Sequence, residues 1–238
     1  MANLVPLDKS QHSDIKIITE RGAKYGENIH LAPIIATELR SLVLDYPCAL
    51  MKDEQTGRFG LYSLLGFNSG ENLFLQGNQW RASYIPLHMR RQPFVSVPNQ
   101  EDQNRGQLLI DMDSTRISTD SGESLFNSDG STTEYMQHIQ QLLGSLMSGM
   151  QASHTFIENL SEQALLEPIK FDVAFANGDK QTYQGMYTIN EDKLANLTGK
   201  NLQLFHERGY LNAAHYLLAS LGHIRKLVDW KNTLEASQ

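Results

Sequence analysis

Two adjacent arginines, Arg90 and Arg91, are the side chains of this sequence best suited to binding a ligand. They follow Tyr84 and lie between prolines at positions 86 and 93. Two guanidinium groups beside aromatic rings could hold a carboxylate or a phosphate through paired hydrogen bonds. In the alternative interpretation, one arginine ties a proline-bounded turn to backbone carbonyls and the other is solvated.

A second candidate region combines Asn72 with Trp80. An asparagine can hold a turn by bonding nearby backbone, and a tryptophan can either stack on a ligand or join the hydrophobic core. The core is the more common place for such a ring. Together the two regions give the predicted ligand- or partner-contacting residues, which are Asn72, Trp80, Tyr84, Arg90 and Arg91.

The sequence lacks a recognisable catalytic signature. It contains no Gly-x-Ser-x-Gly elbow and no glycine-rich phosphate loop. Its eight histidines show no metal-ligand spacing, and Asp111 and Asp113 lack the glycine and distal glutamate of a calcium loop. Cys48 lies in an apolar run, which is typical of an inert core thiol. We therefore expect no catalytic residue, no metal site and no cofactor.

The composition argues against several classes of protein. Lys and Arg number 20 and Asp and Glu 27, which gives a net charge of −7 and argues against a broad surface for nucleic-acid phosphates. A single cysteine fits a reducing compartment. The first eleven residues lack the apolar core of a signal peptide, and no apolar run approaches the ~20 residues that span a bilayer. We expect a cytoplasmic protein that has no membrane span and does not bind nucleic acid.

Strands and short helices must position the candidate side chains in the first half of the chain. Residues 33–45 show helical apolar spacing after Pro33, a residue that suits a first helical turn. Apolar runs at 48–51 and 59–65 flank a polar bend with Gly57, the pattern of a hairpin. One helical turn is expected between the two prolines. Strands are also predicted at residues 14–18, 72–75, 94–97 and 107–112, and a polar loop at 99–106.

A long central helix is the clearest element of the second half. Ser131 and Glu134 have the spacing of a capping box, and the helix is predicted to extend to about residue 160. Its apolar stripe consists of Tyr135, Ile139, Leu142, Leu146, Met150 and Ile157. Gly144 and Gly149 weaken a helix, so they indicate close packing or a bend.

A hairpin follows the long helix, because residues 169–175 alternate as a half-buried strand does and precede Asn177-Gly178. A two-residue loop would pair Phe171 with Gln184. A three-residue loop, residues 176–178, would pair Phe171 with Tyr183. A slip of one residue moves every side chain to the other face, and burial favours the pairing of Phe171 with Tyr183.

The C-terminal third is predicted to be helical. Asn190 is a suitable N-cap, and the helices are expected at residues 191–199, 202–208 and 210–230. The order of elements predicts an α+β fold with mixed or antiparallel sheet elements, a long central helix, a β-hairpin and a helical C-terminal part. We expect one domain over residues 1–238, with a mobile segment at the polar residues 113–133.

Many short motifs occur in a fixed order along the chain. They include His30-Leu-Ala-Pro33, Lys52-Asp53, Gly70-Glu-Asn-Leu-Phe74, Trp80, Arg90-Arg91-Gln-Pro-Phe94, Asp111, Leu166-Glu-Pro168, Arg208-Gly-Tyr-Leu211 and His215. Together they resemble the bacterial SapC family from about residue 4 to residue 228. No motif is diagnostic alone, but their number and order make a chance match improbable.

The resemblance implies a context rather than a reaction. The family was named through surface-layer loci, and its members occur beside TonB-dependent receptors, halogenase-like flavoproteins and cupin-type oxygenase-like proteins. We therefore expect a non-enzymatic accessory protein of a surface-layer or nutrient-uptake system, with a protein partner of that kind or a peptide or glycan ligand. The alternative is an enzyme, or an enzyme subunit, that modifies a peptide, a glycan or a small anionic substrate. A permease role, which some relatives are assigned, conflicts with the lack of a long apolar run.

Overall fold

A computed structural model describes residues 2–98, 106–176, 178 and 180–236. Strands and helices alternate in the first half, and four helices follow the last hairpin. The strands of the described residues are β1 (Leu4–Pro6), β2 (Lys16–Ile17), β3 (Leu31–Pro33), β4 (Cys48–Lys52), β5 (Phe59–Leu64), β6 (Leu75–Gln76), β7 (Gln79–Trp80), β8 (Phe94–Pro98), β9 (Gly106–Asp111), β10 (Ile117–Ser118), β11 (Glu123–Ser124), β12 (Leu166–Ala174) and β13 (Lys180–Ile189).

The helices of the same residues include one long element and several short ones. They are α1 (Lys9–His12), α2 (Leu39–Leu42), α3 (Leu87–Arg90), α4 (Glu134–Glu162), α5 (Glu191–Ala195), α6 (Gly199–Glu207), α7 (Tyr210–Ser220) and α8 (His223–Ala236), with 3-10 turns at Ala23–Tyr25 and Ala36–Glu38. No helix in the described part of the chain is both long and apolar enough to cross a membrane.

The chain divides into two compact units. Unit 1 is formed by Met1–Asn28, Leu75–Arg81 and Leu87–Ser148, and unit 2 by Ile29–Phe74, Ala82–Pro86 and Gly149–Gln238. Helix α4 gives its first half to unit 1 and its second half to unit 2. The antiparallel sheets together with the long helix confirm the α+β class. The expectation of one domain over residues 1–238 stays a prediction.

Unit 1 is built on small antiparallel sheets. One sheet has the order β1-β9-β8, a second has the order β10-β2-β11, and β6 pairs with β7. The second sheet holds the middle of the segment 113–133, where Ile117 and Glu123 both lie opposite Ile17. This segment therefore forms strands, although the sequence pattern gave it none; its mobility stays a prediction. Of the predicted loop 99–106, residues 99–105 lie outside the described residues and Gly106 begins β9.

Unit 2 contains a five-stranded antiparallel sheet in the order β12-β13-β4-β5-β3. The predicted hairpin of β4 with β5 is confirmed, as is the pairing of Phe171 with Tyr183 in β12 and β13. Asn177, in the predicted turn, lies outside the described residues. The core of the unit includes the buried rings of Tyr46 and Phe74, which stack with centroids 4.3 Å apart.

The predicted helix at residues 33–45 is wrong at its start. Pro33 ends strand β3 and pairs with Tyr62, and Ile34 N donates to Leu61 O at 3.0 Å. Proline is tolerated in a strand at the edge of a sheet, where its missing N–H costs no ladder bond. The helical turns begin only at Ala36, whose N–H donates to Ser153 Oγ at 2.7 Å.

Three other predicted boundaries are also corrected. Strand 72–75 is replaced by a turn, because Asn72 Oδ1 accepts from Phe74 N at 3.0 Å and only Leu75 joins a strand. Helix α4 is capped by Thr133, whose Oγ1 accepts from Met136 N at 3.2 Å, instead of by Ser131. The single helix expected at 210–230 is interrupted before α8 at a turn containing Gly222, a residue with low helix propensity.

The two glycines of α4 have different surroundings. A Cβ atom on Gly149 would lie 2.3 Å from Ile35 Cδ1 and 3.2 Å from Thr37 Oγ1, whereas a Cβ on Gly144 would meet nothing within 4 Å. Ile35 is only 2% exposed, so its side chain has no open space to move into. The close packing predicted from the two glycines therefore exists at Gly149 alone.

We expect Gly144→Ala to stabilise the protein by about 1 kcal/mol, because alanine is the better helix former. Gly149→Ala should destabilise it by about 1–3 kcal/mol, because the added methyl group overpacks the contact with Ile35. Urea unfolding followed by circular dichroism would measure both changes, with Gly144→Ala as the control for propensity. A stabilisation of equal size at both positions would contradict the close approach at Gly149.

Candidate functional site

The structure gives Arg91 a role in holding its own turn. Its Nη1 donates to Phe94 O at 2.6 Å, and its Nε donates to His88 Nδ1 at 3.4 Å. Burial lowers the pKa of Arg91, but a guanidinium remains charged in proteins. The contact with a backbone carbonyl is what the structural alternative predicted for one member of the arginine pair.

Arg90, the last residue of α3, has a different environment. It is half-buried, and its Nη2 lies 3.1 Å from His138 Nε2. A guanidinium has five N–H donors, and this contact engages one of them. Arg90 also lines a cavity in unit 1, together with two arginines that come from distant parts of the sequence, Arg21 and Arg116.

The cavity has a volume of about 220 Å³. It combines cationic, neutral polar and apolar side chains, and the described residues that line it include no aspartate and no glutamate. The lining residues are Ile18, Thr19, Arg21, Arg90, Gln92, Arg116, Tyr135, His138, Ile139 and Leu142. Three guanidinium groups thus surround a space large enough for a small ligand.

A buried carboxylate holds two of these arginines in place. Glu27 is fully buried, and its Oε1 accepts from Arg21 Nη1 and from Arg116 Nη2, each at 2.7 Å. Its Oε2 accepts from Gly22 N at 2.9 Å. A buried charge is tolerable only when it is paired and its lone pairs are satisfied. Glu27 meets that condition through two guanidinium groups and one backbone amide.

Arg116 is fixed more completely than the other arginines. Its Nη1 donates to the carbonyl oxygens of Ile18 and Glu20, at 2.9 and 2.8 Å, and its guanidinium lies 5.0 Å from the centre of the Tyr25 ring. The residue is only 2% exposed. Its Nε is also buried and has no hydrogen-bond partner among the described residues. Arg116 is therefore a rigid cation in the cavity wall.

Helix α4 supplies four of the lining residues from one face. Tyr135, His138, Ile139 and Leu142 are spaced at i, i+3, i+4 and i+7, which places them side by side on a helix. Burial raises the pKa of Tyr135 to about 12, against the opposing effect of Arg116. The phenol is therefore protonated at neutral pH and can donate a hydrogen bond.

The other predicted site residues are held by their own neighbours. Tyr84, in unit 2, donates its hydroxyl to Glu38 Oε1 at 3.0 Å and accepts at its carbonyl from Tyr46. Asn72, also in unit 2, holds the turn described above. Trp80, in unit 1, is half-buried and pairs with Leu75 in the β6–β7 ribbon. Among the five predicted residues, Arg90 alone lines the arginine cavity.

The sequence reasoning missed Arg21, Glu27, Arg116 and His138. They lie up to 117 positions apart and share no motif, so spacing could not connect them. One signal existed, because Arg116 is the only Lys or Arg between residues 107 and 133, a stretch that contains five carboxylates. A lone cation in such a stretch indicates a specific partner. Tyr135 was noticed, but only as part of the apolar stripe of the long helix.

Two other groups singled out from the sequence, Cys48 and the pair Asp111 and Asp113, are held within the fold. Cys48 is 1% exposed, and burial raises its pKa to about 12, as expected for an inert core thiol. Asp111 Oδ1 accepts from Asn3 N at 2.9 Å and from Asp113 N at 3.2 Å, which ties down a strand end. In the described ranges, no three His, Cys, Asp or Glu side chains are grouped so that they could hold a metal ion.

The fold and the cavity define an α+β protein with a cationic pocket in its first unit. A family model described as SapC matches residues 7–227, and the chain belongs to the SapC family. The match extends through both units, so it includes all the residues that line the cavity. No curated protein and no solved structure matches the chain.

We expect Glu27→Gln to lower the free energy of unfolding by about 3–5 kcal/mol, because it leaves two arginines without their counter-charge. Glu20→Gln is the matched control, since the Glu20 side chain is 62% exposed and its ion pair with Lys24 is long, at 3.7 Å. That substitution should cost about 1 kcal/mol or less. The urea concentration at the midpoint of unfolding would measure the change in stability of each variant. Equal losses in the two variants would contradict a stabilising role for the buried carboxylate.

His88 should make stability depend on pH. Burial, and then the charge of Arg91, lowers the pKa of His88 from 6.5 to about 4. Between those values the unfolded chain binds the proton and the folded chain does not, so stability is complete above about pH 7 and falls as the pH decreases towards 4. The whole effect is about 3 kcal/mol, at 1.36 kcal/mol per pKa unit.

Unfolding free energies measured from pH 4 to 7.5 would test this effect. His88→Asn keeps a side-chain hydrogen-bond acceptor near the Nδ1 position but cannot titrate, so its stability should depend less on pH than that of the wild type. The exposed His206, replaced by Asn in the same way, is the control and should leave the wild-type dependence intact. Superimposable profiles for wild type and His88→Asn would show the assignment to be wrong.

Proposed function

We propose that the protein is a non-enzymatic binding protein that holds an anionic group in the arginine-lined cavity of unit 1. The observation that carries the proposal is the charge around that cavity. Arg21, Arg90 and Arg116 contribute three positive charges, and Glu27 neutralises one. Two positive charges remain beside a space that no carboxylate lines in the part of the chain that the structure describes. An anionic ligand would compensate them through charge-assisted hydrogen bonds.

The same residues support binding over chemistry. Arginine cannot give up its proton in a protein, and the raised pKa of Tyr135 keeps that phenol protonated. The His138 imidazole, which is the lining group of the type most often used as a general base, has its Nε2 engaged by Arg90. The cavity thus presents fixed donors and no free acceptor base. The enzymatic alternative has less support for that reason.

The wider role that we propose rests on family membership. In this part of the proposal the protein acts in the cytoplasm as an accessory of a bacterial surface-layer or TonB-linked uptake system. Its protein partner would be a halogenase-like flavoprotein or a component of the uptake system. The bound anionic group would belong to a peptide, a glycan or a product derived from one of them.

Isothermal titration with acetate, sulfate, phosphate and citrate, each against a chloride background of equal ionic strength, would test the binding proposal. We expect at least one of these anions to bind, and Arg90→Met to weaken that binding by about tenfold or more, as the loss of a charged hydrogen bond does. Arg225→Met removes an exposed arginine from α8 in unit 2 and is the control. It should leave the affinity unchanged.

Mass spectrometry of the bound anion after prolonged incubation would separate binding from turnover. Recovery of the intact anion supports a binding protein, and chemical conversion of the anion would favour the enzymatic alternative. Equal losses of affinity in Arg90→Met and Arg225→Met would refute the proposed site.

A further inference from the structure

The cavity is not uniformly polar. Ile18, Ile139 and Leu142 form an apolar part of its lining. Ile139 and Leu142 are buried, at 3% and 5% exposure, while Ile18 is half-buried at the end of β2. Any ligand that fills the space must therefore satisfy cationic donors and also contact aliphatic carbons.

A lining that is partly cationic and partly apolar favours some classes of anion over others. Inorganic sulfate and phosphate carry hydrogen-bond acceptors on every side, and an acceptor pressed against aliphatic carbon loses its partner at a cost in free energy. A carboxylate on an aliphatic body has its acceptors at one end only. Its polar end can meet the guanidinium groups while its carbon chain covers the apolar lining.

The free hydrogen-bond donors of the cavity lie on Arg90. Arg116 is held by Glu27 and by two backbone carbonyls, and its unpartnered Nε is fully buried, so this residue contributes a fixed positive charge to the cavity wall. Arg90 is half-buried and has four further N–H donors beyond its contact with His138. A carboxylate can thus bind Arg90 beside the fixed charge of Arg116.

The size of the cavity is compatible with such a ligand. Its volume of about 220 Å³ is well above the roughly 10–15 Å³ that a single water molecule requires on the same measure. A carboxylate with a short aliphatic chain therefore fits this space.

We infer that the cavity takes a carboxylate borne on a short aliphatic body, with Arg90 binding the carboxylate beside the positive charge of Arg116, and with Ile18, Ile139 and Leu142 contacting the carbon chain. The inference rests on the proposed function and narrows it to one ligand chemistry. Two sources present that chemistry, namely a free short-chain acid and the C-terminal end of a peptide that finishes in an aliphatic residue.

Titration of the full chain with acetate, butyrate, hexanoate, N-acetylleucine, sulfate and phosphate would test the inference. Affinity should rise by up to about fourfold for each added methylene group that becomes buried, so that hexanoate binds most tightly among the free acids and more tightly than sulfate or phosphate. N-acetylleucine that binds as tightly as hexanoate would identify a peptide end as the source, and weaker binding would identify a free acid.

A variant of the apolar lining gives an independent measurement. Ile18→Thr keeps the branch at Cβ but replaces the ethyl group with a hydroxyl, and should weaken the binding of hexanoate by several fold while leaving that of acetate nearly unchanged. Leu44→Thr is the control, because Leu44 is 68% exposed in unit 2. An unchanged affinity for hexanoate in Ile18→Thr would overturn the inference.

The failures of the two proposals are distinguishable. One outcome is that sulfate or phosphate binds as tightly as hexanoate and that Arg90→Met lowers its affinity. The preference for an aliphatic carboxylate would then be wrong, whereas the proposed anion site would be supported. Absence of binding by every anion would overturn both.

Discussion

The buried carboxylate of Glu27 is the interaction on which the organisation of unit 1 depends. It has no contact with solvent, and its partners include Arg21, Arg116 and the amide of Gly22. Removing an ion from water costs several kcal/mol, so the carboxylate can be buried only where the chain brings these donors together. Arg116 in turn binds the carbonyls of Ile18 and Glu20. The Arg116 side chain thus joins the segment after β2 to the segment before β10.

This arrangement also determines the electrostatics of the cavity. One carboxylate shared by two guanidinium groups leaves an excess of positive charge, and Arg90 increases it. Because Arg116 is held by protein groups before any ligand arrives, little side-chain entropy is lost when an anion binds. The same cluster of Glu27, Arg21 and Arg116 therefore stabilises unit 1 and attracts an anion.

Local patterns were sufficient to predict a good part of the fold and little of the site. The β4–β5 hairpin, the register of Phe171 with Tyr183 and the long α4 each follow from periodicity over a few neighbouring residues.

The helix predicted at Pro33 began too early because that residue pairs with Tyr62 in another strand. The capping residue of α4 was misplaced by two positions, since Asp129 accepts the Ser131 hydroxyl and Thr133 is left to cap. The arginine cluster depends on contacts between residues as much as 96–98 positions apart, which one sequence does not reveal.

The adjacent arginines show what decides between a structural and a ligand-binding role. Successive residues on a helical turn point about 100° apart, so Arg90 and Arg91 meet different surroundings although the sequence treats them alike. Arg91 reaches a carbonyl of its own turn and the neutral ring of His88. Arg90 reaches His138 and the cavity, where two other arginines already outnumber their single carboxylate. The type of residue and its neighbours in sequence are common to both. What distinguishes Arg90 is a local charge that the protein itself does not balance, and that imbalance exists only once residues 21, 27, 90 and 116 are brought together by the fold.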